Sequence, residues 1–153
     1  MLHPTPSPRP LSLPERTAAV LGGIAILGEV ETMLELAEKV EDGLPYASWR
    51  AFRHEVGLPK KELAELLRIA PRTLDRRQQS GRLEPDESDR LARVARIFTR
   101  AVDVLGSREK ARTWFERPNR ALGQRKPTAL LGTDAGAREV DEVLGRIEHG
   151  IFS

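Results

Sequence analysis

The stretch LPKKELAELLRIAPRTLDRRQQSGRL, Leu58 to Leu83, decides the fold. Pro59 and Pro71 each stand where a first helical residue is favoured, because that position has no intrahelical use for an N–H. Gly81 stands where a left-handed C-terminal cap is favoured. The punctuation predicts two short helices, about 59–68 and 71–80, joined by a tight turn at Ile69–Ala70. That pattern is a helix-turn-helix. Leu63, Leu66 and Leu67 share one face of the first helix, and the small Ala64 lets the second helix cross closely. Ile69 and Leu74 complete the apolar side.

The second helix presents Arg72, Thr73, Arg76, Arg77 and Gln79 outward. Recognition helices read base edges from their first turns, with phosphates close on both flanks. Between Pro71 and Arg82 the cations Arg72, Arg76, Arg77 and Arg82 face Asp75 alone, a local charge of +3. The whole chain carries only +2, so the patch is hidden in the total. Lys60 and Lys61 open the preceding helix within reach of phosphate. The candidate DNA contacts are therefore Lys60, Lys61, Arg72, Thr73, Arg76, Arg77, Gln79 and Arg82. The plainer alternative is a solvated basic hairpin, and Asp75 counts against DNA unless it accepts from a cytosine amino group.

Working outward, a Pro-rich start up to about Leu13 reads as an extended or disordered tail. A short helix from Pro14 to Leu21 ends at Gly22–Gly23. The run Ile24 to Val40 has helical spacing at Ile26, Val30, Met33, Leu34 and Ala37, with acidic residues opposite. The next helix, about 47–56, carries Trp49, Phe52 and Val56 on one side. Beyond Leu83, Pro85 opens a long helix to Leu105 with the stripe Leu91, Val94, Phe98, Ala101, Val102 and Leu105. Gly106 stops it, and Ser107 caps the helix that contains Trp114 and Phe115. Residues 118–133 read as a loop. Thr133 or Asp134 then caps a helix to about Glu148 with the stripe Ala137, Val140, Val143, Leu144 and Ile147. No β alternation longer than four residues occurs, so the fold class is all-α: N-terminal helices and a helix-turn-helix domain, followed by a small α-helical C-terminal domain.

Composition narrows the function. The 153 residues are 39% hydrophobic and 31% charged, which is ordinary for a globular chain. The absence of cysteine removes disulfide scaffolds, zinc fingers and thiol catalysis together and fits a reducing cytosol. His3, His54 and His149 lie too far apart for metal-ligand spacing, so no metal and no cofactor is expected. Gly22, Gly23 and Gly28 suggest a phosphate loop, but Glu29–Val30 stand where a Lys-Ser/Thr pair is required. No nucleophile–base order or paired carboxylate stands out, and no catalytic residue or enzyme is expected. The start shows no signal-peptide pattern, and the apolar run 18–28 is shorter than a membrane span. A cytoplasmic chain with no membrane partner is expected.

Three stretches carry a resemblance. One is Gly43-Leu44-Pro45 leading into the helix-turn-helix. The second is Arg72-Thr73-Leu74-Asp75-Arg76-Arg77, followed by Gly81-Arg82-Leu83 and Glu87-Ser88-Asp89-Arg90-Leu91. The third runs from Trp114 through Pro118-Asn119, Ala121-Leu122-Gly123, Pro127, Leu130-Leu131, Thr133 and Gly136 to Glu139-Val140. Over about residues 21–152 the chain resembles Xre-type antitoxins of RES–Xre toxin–antitoxin modules, the MbcA/ParS-like group. It departs at Gln124, where a second Gly is common.

The resemblance implies an all-α homodimer with two tasks: its helix-turn-helix binds the operator DNA of its own operon, and its C-terminal domain binds a RES-domain toxin that consumes NAD, blocking the active-site entrance. The implied organisation is a tail at 1–14, a helix-turn-helix domain at 15–106 and a toxin-binding domain at 107–153. The implied toxin contacts are Asn119, Leu122, Pro127, Leu130, Leu131, Thr133, Glu139 and Val140. Read from the residues themselves, an apolar end past a helix cap has no obvious intrachain use, which adds His149, Gly150, Ile151, Phe152 and Ser153, with Arg146 and Phe152 as anchors. The alternatives are a plain transcription regulator with a C-terminal dimerisation or ligand domain, and a toxin inhibitor whose helix-turn-helix no longer binds DNA.

Overall fold

A computed structural model describes residues 2–150. Residues 2–11 have no regular secondary structure and are exposed. Ten α-helices and one 3-10 turn follow: α1 Leu13–Val20, α2 Ile24–Leu27, α3 Met33–Asp42, α4 Tyr46–Val56, α5 Lys60–Leu66, α6 Pro71–Ser80, α7 Pro85–Leu105, α8 Arg108–Phe115, the turn Arg120–Leu122, α9 Pro127–Leu130 and α10 Asp134–Glu148. Among the described residues β structure is limited to the isolated bridges Pro45–Arg82 and Asn119–Arg125. The fold is all-α.

α7 is the axis. Glu84 and Glu87 form a capping box at its start, and Gly106, at φ +97°, ends it. α1, α3 and α4 pack on it, and so do α8 and α10. Leu91, Val94, Phe98 and Ala101 are buried along it, whereas Val102 and Leu105 are half-buried. Phe98 sits edge-on between Phe52 of α4 at 5.9 Å and Phe115 of α8 at 5.5 Å between ring centroids. Trp114 is half-buried against Phe115. The N-terminal and C-terminal helices thus share one apolar core.

The run Ile24 to Val40 is not one helix. The chain breaks at Gly28 (φ +73°) and restarts at Thr32, whose hydroxyl accepts from the Glu35 N–H while the Glu35 carboxylate accepts from the Thr32 N–H. The break changes the helical phase. Leu27, Val30 and Leu36 turn inward, whereas Met33, Leu34 and Ala37 of the expected stripe are exposed. The segment 118–133 also departs from a loop, since it holds the 3-10 turn and α9. Pro59 caps α5 from just outside rather than opening it, while Pro71 lies in the first turn of α6.

Candidate functional site

The helix-turn-helix is assembled by burial of Leu63, Ala64, Leu66, Leu67, Ile69 and Leu74. Its turn begins one residue earlier than expected. Arg68 takes φ +56°, a left-handed conformation usually given to glycine, and its side chain lies over Gly132. The end of α6 is clamped to the start of α4: the Tyr46 N–H donates to the Gly81 carbonyl at 2.8 Å, and the Leu83 N–H to the Leu44 carbonyl at 2.8 Å. Gly43 makes this approach possible. At φ +85°, an added Cβ would stand 2.3 Å from the Leu83 carbonyl oxygen.

Two of the four arginines between Arg72 and Arg82 have partners within the fold. Arg77 donates from Nε to Glu87 Oε1 at 2.7 Å and from Nη2 to Oε2 at 3.3 Å. Glu87 is buried and also accepts from the Glu84 N–H at 2.8 Å. The hydrogen bond to Glu87 raises the Arg77 pKa, opposed by burial and helped by the neighbouring charges of Glu87, Glu84 and Asp86. Arg82 donates to the Gly43 carbonyl at 2.5 Å and the Asp42 carbonyl at 3.3 Å. Arg77 does not face outward as expected, and Arg82 serves the clamp.

Arg72, Arg76 and Gln79 remain exposed on α6, with Thr73 half-buried and accepting from Arg76 at 3.3 Å. Lys60 reaches across from α5 to Asp75 at 3.8 Å, offsetting the carboxylate that opposed DNA binding. Lys61 is exposed beside it. The surviving arrangement is a helix end with two exposed guanidiniums and two flanking ammoniums, chemically suited to phosphates and guanine edges.

The C-terminal unit sorts its residues in the opposite way. Leu122, Pro127, Leu131 and Val140 are buried, and Leu130 is half-buried against the same core. Burial withdraws these side chains from any partner surface. Asn119 and Thr133 are caps: Asn119 Oδ1 accepts from the Ala121 N–H at 2.9 Å, and Thr133 Oγ1 from the Gly136 N–H at 3.0 Å. Gly136 allows α9 and α10 to meet, because a Cβ there would lie 2.0 Å from the Leu130 carbonyl oxygen. Arg100 of α7 ties α10 down through Asp141 at 2.6 Å and Glu148 at 3.6 Å. Of the remaining expected contacts, Glu139, His149 and Gly150 are exposed, and Arg146 is half-buried near Glu142 at 3.9 Å. Ile151, Phe152 and Ser153 lie outside the described residues.

Sequence reasoning missed a cationic loop. Arg117, Arg120, Arg125 and Lys126 are exposed, and among the described residues none forms an ion pair or side-chain hydrogen bond. The available signal was four cations in ten residues without a carboxylate. Gln124 holds φ +64° in this loop, which gives a conformational reason for glycine to be common there. Among the described residues no cluster of His, Asp or Glu could hold a metal, and no helix is long and apolar enough to cross a membrane.

Comparison with known proteins connects both halves. Residues 35–96 match the Antitoxin Xre-like helix-turn-helix domain, and residues 100–150 match the Antitoxin Xre/MbcA/ParS C-terminal toxin-binding domain. The chain is 36% identical to Antitoxin Xre of Yersinia enterocolitica over 99% of its own length and 97% of that protein's. It is 36% identical to Antitoxin Xre of Photorhabdus laumondii over 74% of this chain and 78% of the relative. A chain from the crystal structure of the M. tuberculosis MbcT-MbcA toxin–antitoxin complex superposes with a TM-score of 0.52 at 25% identity, covering 77% of this chain and 97% of that one. With likeness running through the helix-turn-helix, the C-terminal unit and nearly the full length of a relative, the chain belongs to the Xre antitoxin family.

Proposed function

We propose that the chain is the cytosolic antitoxin of a type II toxin–antitoxin pair, that its toxin is a RES-domain protein that consumes NAD, and that as a homodimer it represses its own operon by binding operator DNA. The observation that carries this reading is the match of residues 100–150 to a toxin-binding domain, in a chain that also holds a helix-turn-helix. The named toxin–antitoxin complex supports a protein partner. Labour divides between a DNA-reading domain at 15–106 and a toxin-binding domain at 107–153. The C-terminal unit stops the toxin by standing at its active-site entrance, where its last residues from His149 onward obstruct the substrate path. This is inhibition by occupancy and needs no cofactor. Operator recognition rests on Arg72 and Arg76, with Lys60 and Lys61 on flanking phosphates.

Co-expression with the neighbouring reading frame tests it. A stable complex by size-exclusion chromatography with light scattering, with cellular NAD falling only when this chain is absent, is the expected result. A lone dimer without effect on NAD would reduce the protein to a helix-turn-helix regulator. Removal of residues from His149 onward should weaken neutralisation while the fold stays helical, and unchanged neutralisation would rule out the C-terminal end as the plug.

A further inference from the structure

The cationic loop supplies an inference that rests on the antitoxin reading and specifies how the toxin is met. Arg117, Arg120, Arg125 and Lys126 fall within ten residues that contain no Asp or Glu. All four are exposed. Elsewhere in this unit several cations are paired: Arg108 with Glu55 at 3.1 Å, Arg138 with Asp134 at 3.0 Å and Arg146 with Glu142 at 3.9 Å. The loop instead gathers four exposed cations with no carboxylate among them and, among the described residues, no ion pair.

It is also held in shape. The Asn119 N–H donates to the Arg125 carbonyl at 3.0 Å, and the Gln124 N–H donates to the Asn119 carbonyl at 2.9 Å. Leu122 anchors the loop in the core, and Gln124 keeps its left-handed conformation. Four like charges on an ordered loop repel one another without an intrachain benefit. Such an arrangement lowers the ordering cost of binding and steers an oppositely charged partner.

We propose that residues 117–126 are an electrostatic docking surface that meets an acidic patch on the toxin. The loop lies inside the segment matched to a toxin-binding domain. The buried apolar residues around it leave charge as its principal means of recognition. Nucleic acid fits less well. Lys126 borders a cleft that also carries Glu62, Glu65 and Glu116, and a phosphate backbone laid along this side would meet those carboxylates. A bounded positive surface beside a negative one suits a protein partner with complementary charge.

The test measures association between the full-length chain and the purified toxin from the adjacent reading frame, in buffers from about 0.05 to 0.5 M salt. The wild-type on-rate should fall steeply with salt. Arg120→Glu with Arg125→Glu should lower the low-salt on-rate by about tenfold or more and flatten its salt dependence. Neither side chain has an intrachain partner among the described residues, so the melting temperature should hold; Arg120→Gln with Arg125→Gln provides a milder pair with a smaller loss of the same sign. An on-rate indifferent to salt and to both pairs overturns the inference and leaves the antitoxin reading standing. Loss of operator binding with intact toxin association overturns it in favour of nucleic acid. Failure of the wild-type chain to form any complex overturns the antitoxin reading and this inference with it.

Discussion

The helix-turn-helix and the C-terminal unit treat their most conspicuous residues in opposite ways. In the first, a basic run promised outward arginines, yet Arg77 is drawn into the fold by Glu87, and the exposed Arg82 is held by the Asp42 and Gly43 carbonyls. In the second, an apolar run promised a sticky surface, yet Leu122, Pro127, Leu131 and Val140 build the interior and leave cations outside. Part of the basic run is structural in the first region, whereas the loop cations of the second stay at the surface. A motif therefore fixes the frame that presents a surface before it fixes the surface itself.

The largest effect should come from what the two regions share. Phe98→Ala removes the ring between Phe52 and Phe115 and should cost about 3–5 kcal/mol. Urea unfolding followed by helicity and by tryptophan fluorescence should show one shifted transition, and two separate transitions would mean that the regions do not depend on a common core. Next is Arg77→Ala, which leaves the buried Glu87 without its guanidinium and should cost about 2–3 kcal/mol. Arg77→Met with Glu87→Met should recover most of that stability. If Arg77→Ala instead left the melting temperature alone and abolished operator binding, Arg77 would belong to the reading face after all.

Arg72→Ala and Arg76→Ala form the converse pair. Each should weaken operator binding by about 1–3 kcal/mol, with stability and the toxin complex unchanged. Equal loss of toxin binding would dissolve the contrast between the regions. The smallest effect belongs to Gln124→Gly. Relief of the left-handed side chain is offset by the greater freedom of glycine in the unfolded chain, leaving a gain of roughly 0.5–1 kcal/mol in a thermal melt. A lower melting temperature would show that contacts of Gln124 outweigh its backbone strain.

What the sequence disclosed follows the range of the interactions involved. α7 and α10 were legible to their ends, since Pro85, Gly106 and Thr133 act on their immediate neighbours and the stripes between them keep one period. The turn at Arg68 was not, because the left-handed residue there is not a glycine. The helix across Gly28 was overdrawn for a related reason: apolar residues on both sides of the break fit one helical wheel by coincidence of spacing. The fate of Arg77 depends on Glu87, ten residues away and on another helix, and no local pattern announces such a pairing. The core roles of Leu122 and Leu131 depend on α10 folding over them, so those residues read equally well as surface or interior until the third dimension is present.

The unbroken α7 has a bearing on how such chains can diverge. The two recognisable modules end at residue 96 and begin at residue 100, both inside this one 21-residue rod of about 31 Å. Insertion or deletion of a single residue there would turn everything downstream by about 100° and shift it by about 1.5 Å relative to α6. It would also take Phe98 or its neighbours out of register with Phe52 and Phe115. Length change should therefore gather in the tail and surface loops, and exchange of modules between relatives should succeed only when the crossover preserves the residue count of the rod.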